Sequence, residues 1–291
     1  MPPTLPCPFA LDNILVCTDD SPASQGALKA AIDLARVCGS RISLLFVLEF
    51  IPPSDFSQPD ALGMIPGVGQ DFLELREQAA RKHREGIKQE AAGQGVAMEI
   101  RLRTGSPIHA EILAAADEIK PRLIVMGRRG RSGLERLLVG SVTARVIGHT
   151  PCPVLVVPRN AVLSFNKPLV ASDGSPAGQA ACQTALELAR RTGGKLTAVT
   201  AAHGDLDPKR AKALVRDLAA AAKELDLDFD PLTPGGRPED AIIEVAAAKH
   251  ADLIIMGSHG RTGLKRLFLG SVAERVMGQA ACPVLVVKGP E

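Results

Sequence analysis

The 291-residue sequence predicts an α/β protein made of two tandem copies of one domain, each a parallel sheet with helices on both faces. Three observations carry this: a long internal repeat, short apolar runs alternating with helical segments, and a glycine loop that recurs in each copy. The repeat is the firmest. Residues 127–157 align with 257–287 at a constant offset of 130, without a gap and with 19 of 31 positions identical, so both segments belong to one duplicated unit. The opening segments also match, at an offset of 154. Ile14-Leu15-Val16-Cys17-Thr18-Asp19-Asp20-Ser21-Pro22 pairs with Pro168-Leu169-Val170-Ala171-Ser172-Asp173-Gly174-Ser175-Pro176. The change of offset puts extra residues in the middle of the first copy. They fall most naturally in the Pro- and Gly-rich stretch 50–71, read as a loop, which the second copy crosses in the short 202–208. The predicted domains are 1–158 and 167–291.

Each copy alternates strand and helix. Ile14–Cys17 is a short apolar run. Ser21-Pro22 supplies an N-cap followed by proline in the first turn, Ala23 to Val37 has helical composition, and Gly39 closes it. Ile42–Leu48 is a second strand and Phe72 to Ala92 a long charged helix. Met98–Arg103 alternates in polarity and so suits a position nearer an edge. Gly105-Ser106-Pro107 opens a helix reaching Ile119. Leu123–Met126 is a fully apolar fourth strand, Ser141 begins another helix, and Val154–Val157 is the fifth strand. The second copy repeats the order with Leu169–Ser172, Leu196–Ala201, a weak third strand near Phe229, Leu253–Met256 and Val284–Val287. Apolar strands separated by helices indicate a parallel sheet buried on both faces. Ligands bind such sheets beyond the carboxyl ends of strands, where strand order reverses.

Composition narrows the function classes. The formal net charge is +2, and there is no Trp, no Tyr and eight Phe. That leaves little electrostatic or stacking basis for nucleic-acid binding. No apolar run reaches the roughly 18 residues of a membrane span. The first ten residues lack the basic and apolar regions of a signal peptide, so a cytoplasmic protein is expected. The six cysteines (Cys7, Cys17, Cys38, Cys152, Cys182 and Cys282) show no C-x-x-C spacing and read as buried free thiols. Cys152 and Cys282 read as packing residues, with redox sensing as the alternative. Five histidines read as surface or satisfied groups, His259 excepted. No metal site is expected from the protein alone.

The loop after the fourth strand carries the chemistry. It runs Gly127-Arg128-Arg129-Gly130-Arg131-Ser132-Gly133 and ends at Gly140-Ser141; its counterpart runs Gly257-Ser258-His259-Gly260-Arg261-Thr262-Gly263 and ends at Gly270-Ser271. The shared spacing is G-x2-G-x9-G-S. Glycines let backbone approach a phosphate closely. Ser141 and Ser271 stand where a helix starts, and its free N–H groups and dipole favour an anion. Arg129 and His259 add donors. The pattern is neither a Walker A loop nor the dinucleotide fingerprint. Turn formation and close packing are the bland alternative for the same glycines.

On three motifs the chain resembles the universal stress protein family in its tandem form, ATP-binding branch: the Asp after strand one, the Gly-x-Pro before the third helix, and G-x2-G-x9-G-[ST]. The resemblance spans nearly the whole chain. It implies Rossmann-like five-stranded sheets of order 3-2-1-4-5, fifth strands paired antiparallel between the two domains, and ATP at the carboxyl ends of the strands. Carried over by position, the first site would use Asp19 and Val47 for adenosine, Gly105 and Met126 at its border, and Gly127, Arg129, Gly130, Gly140, Ser141 and Val142 for the phosphates. The second would use Asp173, Ala201, Gly236, Met256, Gly257, His259, Gly260, Gly270, Ser271 and Val272 in the same roles. Ala201 offers less contact than Val47. Asp20, where the second copy has Gly174, sets an extra carboxylate near phosphate, unhelpful unless Mg2+ or an arginine offsets it. The 50–71 loop could cover the first site, a cover the second would lack, so the first is expected to bind tighter. Without a nucleophile–base pair or a kinase or GTPase motif, ATP reads as a regulatory ligand in stress tolerance with little or no turnover. A nucleotide-free interaction scaffold and a slow ATP hydrolase stay as alternatives, as does a homodimer of the whole chain.

Overall fold

Among the described residues, ten strands form one sheet. The computed structural model describes residues 7–49, 68–130, 139–261 and 269–289. The first half runs β1 (Asn13–Thr18), α1 (Pro22–Cys38), β2 (Arg41–Leu48), α2 (Val68–Gly93), β3 (Met98–Thr104), α3 (Ile108–Ile119), β4 (Leu123–Gly127), α4 (Ser141–His149) and β5 (Val154–Val157). The second half runs β6 (Pro168–Ala171), α5 (Pro176–Thr192), β7 (Leu196–Val199), α6 (Pro208–Glu224), β8 (Phe229–Leu232), α7 (Pro238–Ala248), β9 (Leu253–Gly257), α8 (Ser271–Gln279) and β10 (Val284–Val287).

The strand order is β3-β2-β1-β4-β5-β10-β9-β6-β7-β8, so each half has the expected 3-2-1-4-5 arrangement. Within each half neighbouring strands are parallel. The halves join where β5 meets β10 antiparallel, with Leu155 opposite Leu285 and Val154 opposite Val286. Because side chains alternate along a strand, β1 sends Val16 to one face and Leu15 to the other. The Val16 face meets α1 and α5 through Ala31, Leu34, Ala185 and Leu188. The Leu15 face meets α3, α4, α7 and α8 through Ile112, Ile147, Ile242 and Met277. Both apolar layers run on across the β5–β10 junction, so the two halves share one core.

Local chemistry sets the helix that follows the first strand of each half. Ser21 Oγ accepts from the Ser24 N–H at 3.2 Å, Pro22 fixes the first turn, and Gly39 at φ 65° ends α1. Ser175, Pro176 and Gly193 at φ 68° repeat this in α5. A left-handed closing residue suits glycine, which has no Cβ to clash.

Three expectations change. The loop read over 50–71 is shorter, because α2 already begins at Val68; residues 50–67, with the proposed cover of the first site, lie outside the described residues. The expectation of six free thiols fails, because Cys7 and Cys38 form a disulfide with Cα atoms 4.6 Å apart. The segment before β1 passes the C-terminal end of α1, a tertiary proximity that spacing in sequence does not encode. The β7 strand stops at Val199 rather than Ala201, and the chain turns through a bridge between Ala202 and Gly235.

Candidate functional site

Each half holds a cavity at the carboxyl ends of its first and fourth strands. There β1 pairs with β2 on one side and β4 on the other, the crevice where strand order reverses. The first cavity, of about 580 Å³, brings together Asp19, Val47, Met126, Gly127, Arg129, Gly130, Gly140, Ser141 and Val142. The second, of about 250 Å³, brings together Asp173, Ala201, Met256, Gly257, His259, Gly260, Gly270, Ser271 and Val272. Gly105 and Gly236 line neither. Gly105 instead backs onto the Glu111 side chain of α3, and Gly236 takes φ 100° in a turn before α7.

The two glycine segments of each loop are tied to one another. The Gly140 N–H donates to the Arg128 carbonyl at 2.9 Å, and the Gly270 N–H to the Ser258 carbonyl at 2.9 Å. Gly140 and Gly270 are the N-caps of α4 and α8. The first N–H groups of those helices have no carbonyl one turn earlier to receive them, and they open on the cavity at Ser141–Val142 and Ser271–Val272. Two buried side-chain nitrogens, Arg129 Nε and His259 Nε2, have no hydrogen-bond partner among the described residues. They occupy equivalent loop positions, 130 residues apart.

The aspartate after each first strand holds the loop. Asp173 Oδ1 accepts from the Ser175 N–H at 3.0 Å and Oδ2 from the Arg261 N–H at 2.9 Å. Asp19 Oδ1 accepts from the Ser21 N–H at 3.1 Å. A Cβ on Gly130 would stand 2.7 Å from Asp19 Oδ2, and one on Gly260 2.9 Å from Asp173 Oδ2. A methyl group at either position would force the carboxylate or the loop to shift, so glycine serves close approach here rather than backbone freedom. The loop geometry is thus tied to an aspartate–glycine contact.

Several wall residues were not picked out by the sequence motifs. In the first cavity they include Ile108, His109, Ile112 and Arg145. In the second they include His203, Asp205, Leu206 and Arg261. Asp205 and Arg261 pair at 2.7 Å, so the short 202–208 crossing contributes to the wall of the second cavity. Asp20 has φ 60° and Gly174 φ 79°: both copies place a left-handed residue here. The Asp20 carboxylate lies 3.4 Å from His83 Nε2.

Charges also cross the junction. Arg128 donates to the carbonyl of Ala280 at 2.9 Å, at the end of α8. Lys288 donates to the carbonyl of Gly148 at 3.0 Å, at the end of α4. Burial, and for Arg128 the neighbouring Arg129, lower the pKa of both cations from their ordinary values. Burial and then Lys288 lower that of His259. Burial pushes the Cys17 and Cys152 thiols up to about 12 and Cys282 up to about 11. That disfavours thiolate chemistry and favours packing for Cys152 and Cys282. Among the described residues no group of three His, Cys, Asp or Glu could hold a metal ion, and no helix is long and apolar enough to cross a membrane.

Comparison with known proteins agrees with this architecture. The model of the universal stress protein family matches twice, over residues 10–158 and 164–288. A universal stress protein of Mycolicibacterium smegmatis is 30% identical over 295 residues, covering 95% of this chain and 97% of that protein. One from Mycobacterium tuberculosis is 27% identical over 311 residues, covering 96% of each. The crystal structure of a universal stress protein from Archaeoglobus fulgidus superposes with a TM-score of 0.76 at 25% identity, covering 96% of this chain and 99% of that one. With two consecutive matches that together take in nearly all of its length, the chain belongs to the universal stress protein family, in tandem two-domain form.

Proposed function

We propose that the chain binds ATP in both halves as a regulatory ligand, with little or no turnover, in a stress-tolerance role in the cytoplasm. The observation that carries this is the duplicated cradle: an open helix N-terminus, a loop closed by Gly140–Arg128 or Gly270–Ser258, and an unpartnered buried nitrogen at Arg129 or His259. Such a cradle suits phosphate, since fixed N–H donors and a helix dipole meet an anion without reorganising. The apolar wall of Val47, Ile108, Ile112 and Met126 suits the base. Mg2+ would arrive with the phosphates. The first site is the tighter, because Val47 offers more contact than Ala201 and Arg129 offers a guanidinium fork of donors, whereas at the same loop position His259 offers an imidazole whose pKa burial and then Lys288 lower from the ordinary value. Ligand binding stabilises the bound state of each half and thereby biases whatever partner the pair engages.

The test is calorimetric titration with ATP, together with mass spectrometry of the denatured protein. Two ATP per chain is the expected stoichiometry, weakened at the first site by Gly140→Glu or Asp19→Glu. A chain that carries no nucleotide and takes up none overturns the reading.

A further inference from the structure

The repeat extends further back than the glycine loop. Residues 108–126 align with 238–256 at the same offset of 130, and Lys120 and His250 both take left-handed backbone at φ 49° and 51°. At this register His109 corresponds to Glu239, and Arg145 to Arg275. The two halves treat that pair of positions differently.

In the second half Glu239 is buried and pairs with Arg275 and, at 2.7 Å, with Arg237. The arginine of α8 is neutralised and drawn against α7, and neither Glu239 nor Arg275 lines the second cavity. In the first half His109 and Arg145 both line the cavity. Arg145 has no carboxylate partner among the described residues. His109 lies beside His149, with ring centroids 6.1 Å apart. Burial, and then the charges of Arg145 and His149, hold the His109 pKa below its ordinary value. Arg145 is one helical turn beyond Ser141 and so shares its face of α4. The first cavity therefore continues past the phosphate cradle, along the seam of α3 and α4, to Arg145, whereas the equivalent Arg275 is held by Glu239 outside the second cavity.

We infer that His109 and Arg145 form an additional anion subsite in the first cavity, absent from the second, so that the first half selects nucleotides carrying more phosphate than the second requires. The inference rests on the nucleotide reading above. A distal phosphoryl group has the right chemistry: a hard anion within reach of a guanidinium and an imidazole, next to a cradle that already takes phosphate.

The experiment isolates each half. Gly270→Glu puts an acid in the second cradle and leaves the first; Gly140→Glu does the reverse. Calorimetry then gives Kd for ATP and AMP with and without Arg145→Gln, His109→Glu or Arg275→Gln. In the first-half background Arg145→Gln weakens ATP about tenfold, the worth of a charge-assisted hydrogen bond, and AMP less than about twofold. His109→Glu, which copies the second half, does the same or more. In the second-half background Arg275→Gln leaves the ratio of ATP to AMP affinity within about twofold. Should either glutamate variant fail to fold, inorganic tripolyphosphate titrated into the otherwise unaltered chain, with and without Arg145→Gln, reads the same difference. An ATP to AMP ratio unmoved by Arg145→Gln overturns the subsite while the nucleotide reading stands. Absence of any nucleotide binding in the unaltered chain overturns both.

Discussion

Gly260→Ala tests whether the aspartate–glycine contact shapes the site. The new Cβ would stand 2.9 Å from Asp173 Oδ2, several tenths of an ångström inside ordinary contact. The carboxylate cannot simply turn away. Its Oδ1 holds the Ser175 N–H at 3.0 Å and its Oδ2 the Arg261 N–H at 2.9 Å. Moving it breaks one of these charge-assisted bonds, worth about 1.5–3 kcal/mol; moving the loop instead opens the cradle by a similar cost. Either route weakens ATP at the second site by about ten- to a hundredfold. The first site, with its own glycine at 130, serves as the control within the same molecule. Calorimetry resolving two sites reads the outcome, and Gly130→Ala should show the mirror-image pattern. A second-site affinity in Gly260→Ala within twofold of that in the unaltered chain would refute the idea that the contact sets the loop.

Arg128→Met keeps the apolar stem but removes the donor to Ala280 and Met277 at the end of α8. It should lower stability by about 1–2 kcal/mol in urea unfolding, with an unchanged slope; an unmoved midpoint rejects the capping role. Glu239 gives a pH test with a definite sign. Burial opposes its ionisation, yet hydrogen bonds from its own backbone, Arg275 and Arg237 prevail and lower its pKa. A depressed carboxylate contributes stability that is present above its unfolded pKa of about 4.3 and is lost as pH falls through the folded value. Glu239→Gln should therefore be destabilised by about 1 kcal/mol at neutral pH, with the gap to the unaltered chain closing in acid; a gap that widens in acid contradicts this. The thiols of Cys17, Cys152 and Cys282, held far above neutrality by burial, should resist iodoacetamide at pH 7.5 in the native chain and react once it is unfolded. Rapid native labelling of Cys152 would revive redox sensing.

The elements most legible in the sequence are those whose signals are local. The fifth strand at Val154–Val157 and the cap pair Ser21 and Gly39 follow from apolar runs and from residues with one conformational use, and they stand where expected. The third strand of the second half was faint for a physical reason. β8 lies at the sheet edge and carries Pro231, so it needs neither full burial nor a complete set of donors. The glycine loops were legible because the same glycine spacing recurs 130 residues on. What stayed hidden depends on distance in sequence. Asp205 meets Arg261 across 56 residues, and Cys7 meets Cys38 only because the leading segment passes the end of α1. The contrast of His109 with Glu239 was in principle readable, since the ungapped offset extends to it. It carried no motif, and so its meaning emerged only when Arg145 and Arg275 were seen beside it.

The β5–β10 junction has one more consequence. Two identical chains meeting through their last strands would be related by a twofold axis, here passing at Leu155 and Leu285, and every residue near that axis would have to suit its own copy. Fusion removes the obligation. Arg128 corresponds to Ser258, and Lys288 to Pro158, so each helix end at the junction receives a cation from a different place. In a symmetric dimer either cation would be present twice, whether or not the second copy had work to do. In the fused chain a substitution is expressed once. One half can gain a charge or lose a contact without imposing it on the other, while the pairing itself, being intramolecular, does not weaken on dilution.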